Sequence, residues 1–175
     1  QLTTAYGATV VRSGSIYEES MAAAKQAAET NGSSWTLLSD SSWPGYIDTP
    51  RKVMEGYLQL AEEVTRQWPL PCPSHIFLQA GVGGMAVAPA GYVSAVWGDE
   101  PNIIVVEPEA APALIESIQA GHCVITQGPA SNMGRLDCKE PSLIALAGLA
   151  DYASHFITVS EMEVDHQLAG FAAQD

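Results

Sequence analysis

The feature of this sequence best suited to chemistry is a glycine-rich turn between an apolar run and a small-residue run. Residues 76–80 (Ile-Phe-Leu-Gln-Ala) lead into Gly81, Val82, Gly83 and Gly84, and a helical pattern starts at once with Met85. Glycines let the backbone curl so that several N–H groups converge, and the start of a helix adds partial positive charge. Such a turn cradles a phosphate without any basic side chain. The bland alternative is an ordinary strand-to-helix connection whose glycines serve packing. Gly81-Val-Gly83-Gly-Met-Ala86 also fits the dinucleotide pattern, and Glu107 ends the next apolar run, where a ribose-binding acid would stand. However, two strand–helix units precede this turn, whereas that fingerprint usually opens its domain. No Gly-Lys-Ser/Thr follows, which excludes a nucleoside triphosphate loop.

Other reactive side chains are scattered. Cys72 with His75, and His122 with Cys123, are metal-ligand types, but no second pair repeats either spacing, so no metal site is expected. His75, His122, His155 and His166 lack a serine or cysteine elbow, and Cys138 lacks a base. The four tryptophans read as packing residues, and Glu18, Glu19, Glu62 and Glu63 as solvated helix faces.

The elements that must position the turn alternate between strand and helix. Strands are expected at residues 8–12, 35–38, 75–79, 102–106, 123–126 and 155–159. Helices are expected at 15–31, opened by a Ser15/Glu18 capping box and closed by Gly32, and at 49–67, opened by Thr49 and Pro50. Further helices are expected at 85–96, 108–119 and 141–152, and a last one is opened by a second box, Ser160 to Glu163. Residues 127–140 read as an irregular segment. The pattern predicts an α/β fold with a mainly parallel sheet.

The chain has 175 residues, with 7 basic and 20 acidic side chains and a net charge of −13. Hydrophobic residues make up 47% and charged ones 15%, as in a compact domain with a substantial core. So acidic a surface repels phosphate backbones, which argues against nucleic acid and anionic membrane as partners. No run of about 18 apolar residues suggests a membrane span. Three cysteines, with no export signal in view, suit a reducing cytoplasm. Residues 1–7 read as the last turn of a helix capped by Gly7, and 171–175 as lying in or just after another. The chain therefore reads as an internal piece of a longer protein.

Asp40-Ser-Ser-Trp43-Pro-Gly45-Tyr46, then Pro50, Met54, Gly56 and Tyr57, then Leu78-Gln-Ala-Gly-Val-Gly-Gly-Met85 and Val105-Val-Glu-Pro108 resemble the diaminopropionate ammonia-lyases. Cys138-Lys-Glu-Pro141 is similar as well. These lyases belong to the pyridoxal phosphate fold type II group, beside threonine and serine dehydratases. The resemblance covers nearly the whole chain. The glycine turn and Val-Glu-Pro are common to the wider group, and the Asp/Trp/Gly-Tyr/Gly-Tyr spacing is the narrower marker.

The resemblance implies a three-layer α/β sandwich of the tryptophan synthase β-like fold. Residues 1–33 would end the small domain, and 34–175 would form the central part of the large one. It implies pyridoxal 5′-phosphate as cofactor, bound by Gly81, Val82, Gly83, Gly84 and Met85, with Asp40 facing an amino-acid substrate as a catalytic group. An ionised aspartate is a fitting partner for a diamino acid's ammonium groups. The reaction implied is α,β-elimination of ammonia from 2,3-diaminopropionate to pyruvate, by a cytoplasmic homodimer. Lys25, Lys52 and Lys139 do not match the family's Schiff-base position, which would precede residue 1. The piece alone is therefore expected to be inactive. Competing readings are a threonine or serine dehydratase of the same fold, an NAD(P)-binding module built on Gly81–Gly84 and Glu107, and a non-catalytic domain that has lost its site.

Overall fold

The computed structural model describes residues 2–173, in two compact units, Gln1–Leu37 and Leu38–Asp175. Expectations that fall on Gln1, Gln174 and Asp175 lie outside the described residues.

In the first unit, helix α1 (Leu2–Ala5) ends as expected at Gly7. The amide of Ala8 donates to Thr3 and that of Gly7 to Thr4, a paired closure that needs the positive φ of Gly7 (82°). Helix α2 (Tyr17–Asn31) follows and ends at Gly32. Its expected cap is displaced by one residue. The N–H and hydroxyl of Ser15 donate to the carboxylate of Glu19, at 2.6 and 3.2 Å. Residues 8–12 and 35–38, expected as strands, form none. Val10, Val11, Trp35 and Leu38 are exposed, so the β-branched and apolar side chains there have no sheet to pack on.

The second unit is built on a parallel sheet of β1 (His75–Gln79), β2 (Asn102–Pro108) and β3 (His155–Val159), in that spatial order. Helix α3 (Asp48–Gln67) comes before β1, and α4 (Gly84–Trp97) joins β1 to β2. Helices α5 (Ala113–Ala120) and α6 (Leu143–Tyr152) join β2 to β3, and α7 (Glu161–Ala172) follows. Crossovers that step the same way place α4 and α6 on one face of the sheet. There the two helices pack on each other, with α3 against α4. Leu78, Ala90, Ile103, Val105, Leu114 and Leu149 form the core between sheet and helices.

Two expected boundaries moved. Strand β2 runs through Pro108 because Glu107 and Pro108 pair with Thr158 and Val159 of β3, so α5 begins at Ala113 and not at 108. Helix α3 starts at Asp48, with Ile47 and not Thr49 as its cap. Residues 123–126 are irregular, and the amide of Thr126 donates to the carbonyl of Lys139. The second capping box is present as expected, with Ser160 and Glu163 bonded reciprocally.

Candidate functional site

Strand β1 delivers the chain to the glycine turn at its carboxyl end, where ligands gather in open parallel sheets. Among the described residues, no protein group accepts a hydrogen bond from the amides of Gly81, Val82, Gly83, Gly84 or Met85. Five successive amides leading into α4 are therefore left without a protein acceptor among the described residues. That donor set fits an anion such as a phosphate. The space around three of these positions is tight, most of all at Gly81 and Gly83. Gly83 has φ 94°, and a Cβ there would stand 3.1 Å from Ala145 and 3.2 Å from Leu114. At Gly81 a Cβ would stand 2.9 Å from the Cys138 sulfur, and at Gly84 it would stand 3.2 Å from Met54. A side chain at Gly81 or Gly83 would strain the turn, whereas at Gly84 the end of Met54 need give by only a few tenths of an ångström.

The loop that carries Asp40 lies against this turn. The carbonyl of Asp40 is 3.7 Å from the position a Gly84 Cβ would take, and the side chain of Asp40 is exposed. The loop is closed on itself. Trp43 and Tyr46 stack at 4.3 Å and exchange backbone bonds, and the amide of Ser39 donates to the Tyr46 hydroxyl at 3.0 Å. It is also tied to α6: the hydroxyls of Ser42 and Ser142 lie 2.7 Å apart, and the amide of Ser142 donates to the carbonyl of Val82 at 2.9 Å. The structure thus brings together the expected Asp40, Gly81, Val82, Gly83, Gly84 and Met85.

The irregular segment 127–140 packs on the other side of the turn through Cys138. It is braced by Lys139, whose ammonium is buried 2.7 Å from Asp137 and donates to the carbonyls of Ala110 and Pro129. The amide of Ser131 donates to Asp137 at 3.1 Å, and its hydroxyl donates to Glu161 at the start of α7. Neither this brace nor the serine pair is legible from the sequence. Ser42 and Ser142 are 100 positions apart, and no local spacing announces such a contact.

Glu107 is not a ribose-binding acid. Its side chain is fully buried, and its two carboxylate oxygens accept the amides of Leu114 and Ile115 at 2.7 and 2.8 Å. It caps α5 from the end of β2, where a nucleotide's ribose could not reach it. Burial pushes its carboxyl up to about 7, although the two amide donors pull the other way. A separate cleft of about 480 Å³ between α5, α6 and β3, lined by Leu146, Ala150 and Phe156 among others, shares no residue with the turn or the Asp40 loop.

The family described as "Pyridoxal-phosphate dependent enzyme" matches residues 1–173. Diaminopropionate ammonia-lyase of Salmonella typhimurium is 39% identical over 153 residues, which cover 83% of this chain and 37% of that protein. A crystal structure of diaminopropionate ammonia lyase from Escherichia coli, in complex with an aminoacrylate-PLP azomethine intermediate, matches with a TM-score of 0.78 at 31% identity. That match covers 90% of this chain and 40% of the other. Threonine deaminase isoform 2 from Solanum lycopersicum, at TM-score 0.74 and 21% identity over 90% of this chain and 42% of that one, shares the fold. The chain spans 37 to 39% of the length of the diaminopropionate ammonia-lyases it matches among curated relatives.

Proposed function

The chain belongs to the pyridoxal-phosphate dependent enzyme family, and from that premise we propose that it is the central part of a lyase acting on 2,3-diaminopropionate. The reaction is α,β-elimination of ammonia, with pyruvate and ammonia as products. One observation carries this reading. In a chain 39% identical to a protein named for that activity, the Asp40 loop lies directly against a glycine cradle of free amides. We place residues 1–33 at the end of a small domain and 34–175 in the cofactor-binding one.

The amides of Gly81, Val82, Gly83, Gly84 and Met85 bind and orient the phosphate of pyridoxal phosphate. Bound there, the cofactor supplies the electron sink that elimination needs. The exposed carboxylate of Asp40 would pair with an ammonium group of the diamino acid and orient it beside the bound cofactor. The turn itself rests on buried neighbours, Met54 below Gly84 and Cys138 against Gly81, which exclude water from its underside. Of the three lysines, Lys139 is engaged by Asp137 and two carbonyls, while Lys25 and Lys52 are exposed on helices. We therefore assign the Schiff-base lysine to a position outside residues 1–175, which leaves this chain alone inactive. None of the three cysteines forms a disulfide, and no helix among the described residues is long and apolar enough to cross a membrane. A cytoplasmic homodimer is the setting we propose.

Pyruvate release by the full-length protein, measured against diaminopropionate, threonine and serine, tests the reading. Diaminopropionate is expected to turn over fastest. Faster turnover of threonine or serine would move the assignment to a dehydratase.

A further inference from the structure

Helix α6 is capped by a residue from the far side of the site. Ser142 occupies its N-cap position, yet the Ser142 hydroxyl makes no bond to its own helix. Instead, Ser42 supplies the cap: its hydroxyl accepts the amide of Ile144 at 3.0 Å, and its carbonyl accepts that of Leu143 at 3.1 Å. The Ser142 hydroxyl in turn accepts the amide of Ser42 at 3.0 Å and lies 2.7 Å from the Ser42 hydroxyl. Both side chains are buried, at 2% and 0% exposure, and among the described residues each hydroxyl bonds to the other's segment. A fifth bond, from the Ser142 amide to the carbonyl of Val82, anchors the pair to the glycine turn.

We infer that Ser42 and Ser142 are positioning residues that hold the Asp40 loop in register with the phosphate cradle. Asp40 is two residues before Ser42, and its carbonyl already touches the place a Gly84 side chain would fill. The loop has no strand or helix of its own at this point. Its placement beside the start of α4 therefore depends on bonds at single residues, and the serine pair supplies buried ones among them. Losing either hydroxyl leaves a buried amide without an acceptor, and the loop then moves to let water in. The inference rests on the reading of Asp40 and the cradle given above, and its test separates the two.

The test is amide NMR on the ¹⁵N-labelled 175-residue chain, as wild type, S142A and S142T. In S142A, hydrogen exchange at Ser42 and Ile144 is expected to accelerate about tenfold or more, and the Asp40 resonance to shift. The sheet amide of Val105 should stay in place, and S142T, which keeps the hydroxyl, should restore wild-type values. An unmoved Asp40 resonance with unchanged exchange in S142A overturns the proposal, as does failure of S142T to restore them. Should S142A not fold, wild-type exchange decides. Slow, matched exchange at Ser42 and Ile144 supports the latch, and exchange at the rate of an open loop overturns it. A titration of wild type with inorganic phosphate is read separately. Unmoved amides at Gly81–Gly84 would overturn the cradle while leaving the latch standing.

Discussion

Asp40 and Glu107 are both carboxylates near the ends of the sheet, and their surroundings are opposite, one exposed and one buried. Asp40 is exposed beside a set of free amides, where a cationic substrate can meet it. Replacing it with Asn keeps its shape and removes its charge, so D40N in the full-length protein is expected to lower kcat/KM for diaminopropionate by roughly a hundredfold or more. Loss of less than threefold would remove Asp40 from the site. Glu107 is sealed away and caps a helix. Its folded-state pKa of about 7 lies above the ordinary 4.5, so the folded protein holds this proton more tightly than the unfolded one. The associated stability is full at acid pH and is lost as pH rises through about 7, to a total on the order of 3 kcal/mol. E107Q removes that titration. Urea unfolding of wild type and E107Q should therefore show a stability difference that shrinks for the wild type between acid and alkaline pH, and a difference independent of pH would contradict it. At this scale the glycine turn was legible because glycines in sequence, followed by a helix, leave their signature in the chain. The cap role of Glu107 was not, because a carboxyl at a strand end reads equally as a ligand or as a lock.

The elements that frame the site depend on close approach. Gly148 of α6 faces Val87 of α4 so closely that a Cβ would fall 2.5 Å from the valine Cγ2, and a Cβ at Gly91 would touch the Tyr152 ring at 3.2 Å. G148A should therefore cost about 1–3 kcal/mol by overpacking. V87A should recover part of that loss, so thermal unfolding of the double variant is expected to lie above that of G148A alone. Additive losses would mean that the two helices do not meet there. Strands 75–79 and 155–159 were legible to the residue because each feeds a buried neighbour in register. Residues 8–12, 35–38 and 123–126 have similar composition but form no strand, since β-propensity reports fitness for a sheet and cannot supply the partner. The start of α5 was misread for a related reason. Pro108 looks like a helix opener, yet its pairing with Val159 keeps it in β2.

At the scale of the whole molecule, the sheet is covered unevenly. One face carries α4 and α6, while Phe77 of β1 and Ile157 of β3 remain exposed, at 61% and 40%. Exposed apolar side chains on a sheet drive association. Sedimentation of the purified chain is expected to report a dimer or larger species, and a monomer at high concentration would contradict it. The α/β class and the parallel sheet were legible because the alternation of elements is periodic. The serine pair that joins the Asp40 loop to α6 was not, because it rests on residues 100 positions apart. The central claim is that the free amides of Gly81 to Met85 hold the phosphate of pyridoxal phosphate. Its most direct test is amide NMR titration of the labelled chain with pyridoxal 5′-phosphate, beside pyridoxal and NAD as controls. Shifts confined to Gly81–Met85 and their neighbours, produced by pyridoxal 5′-phosphate and not by pyridoxal, are predicted. Cradle amides that stay in place with pyridoxal 5′-phosphate, or that respond to NAD alone, would contradict the account.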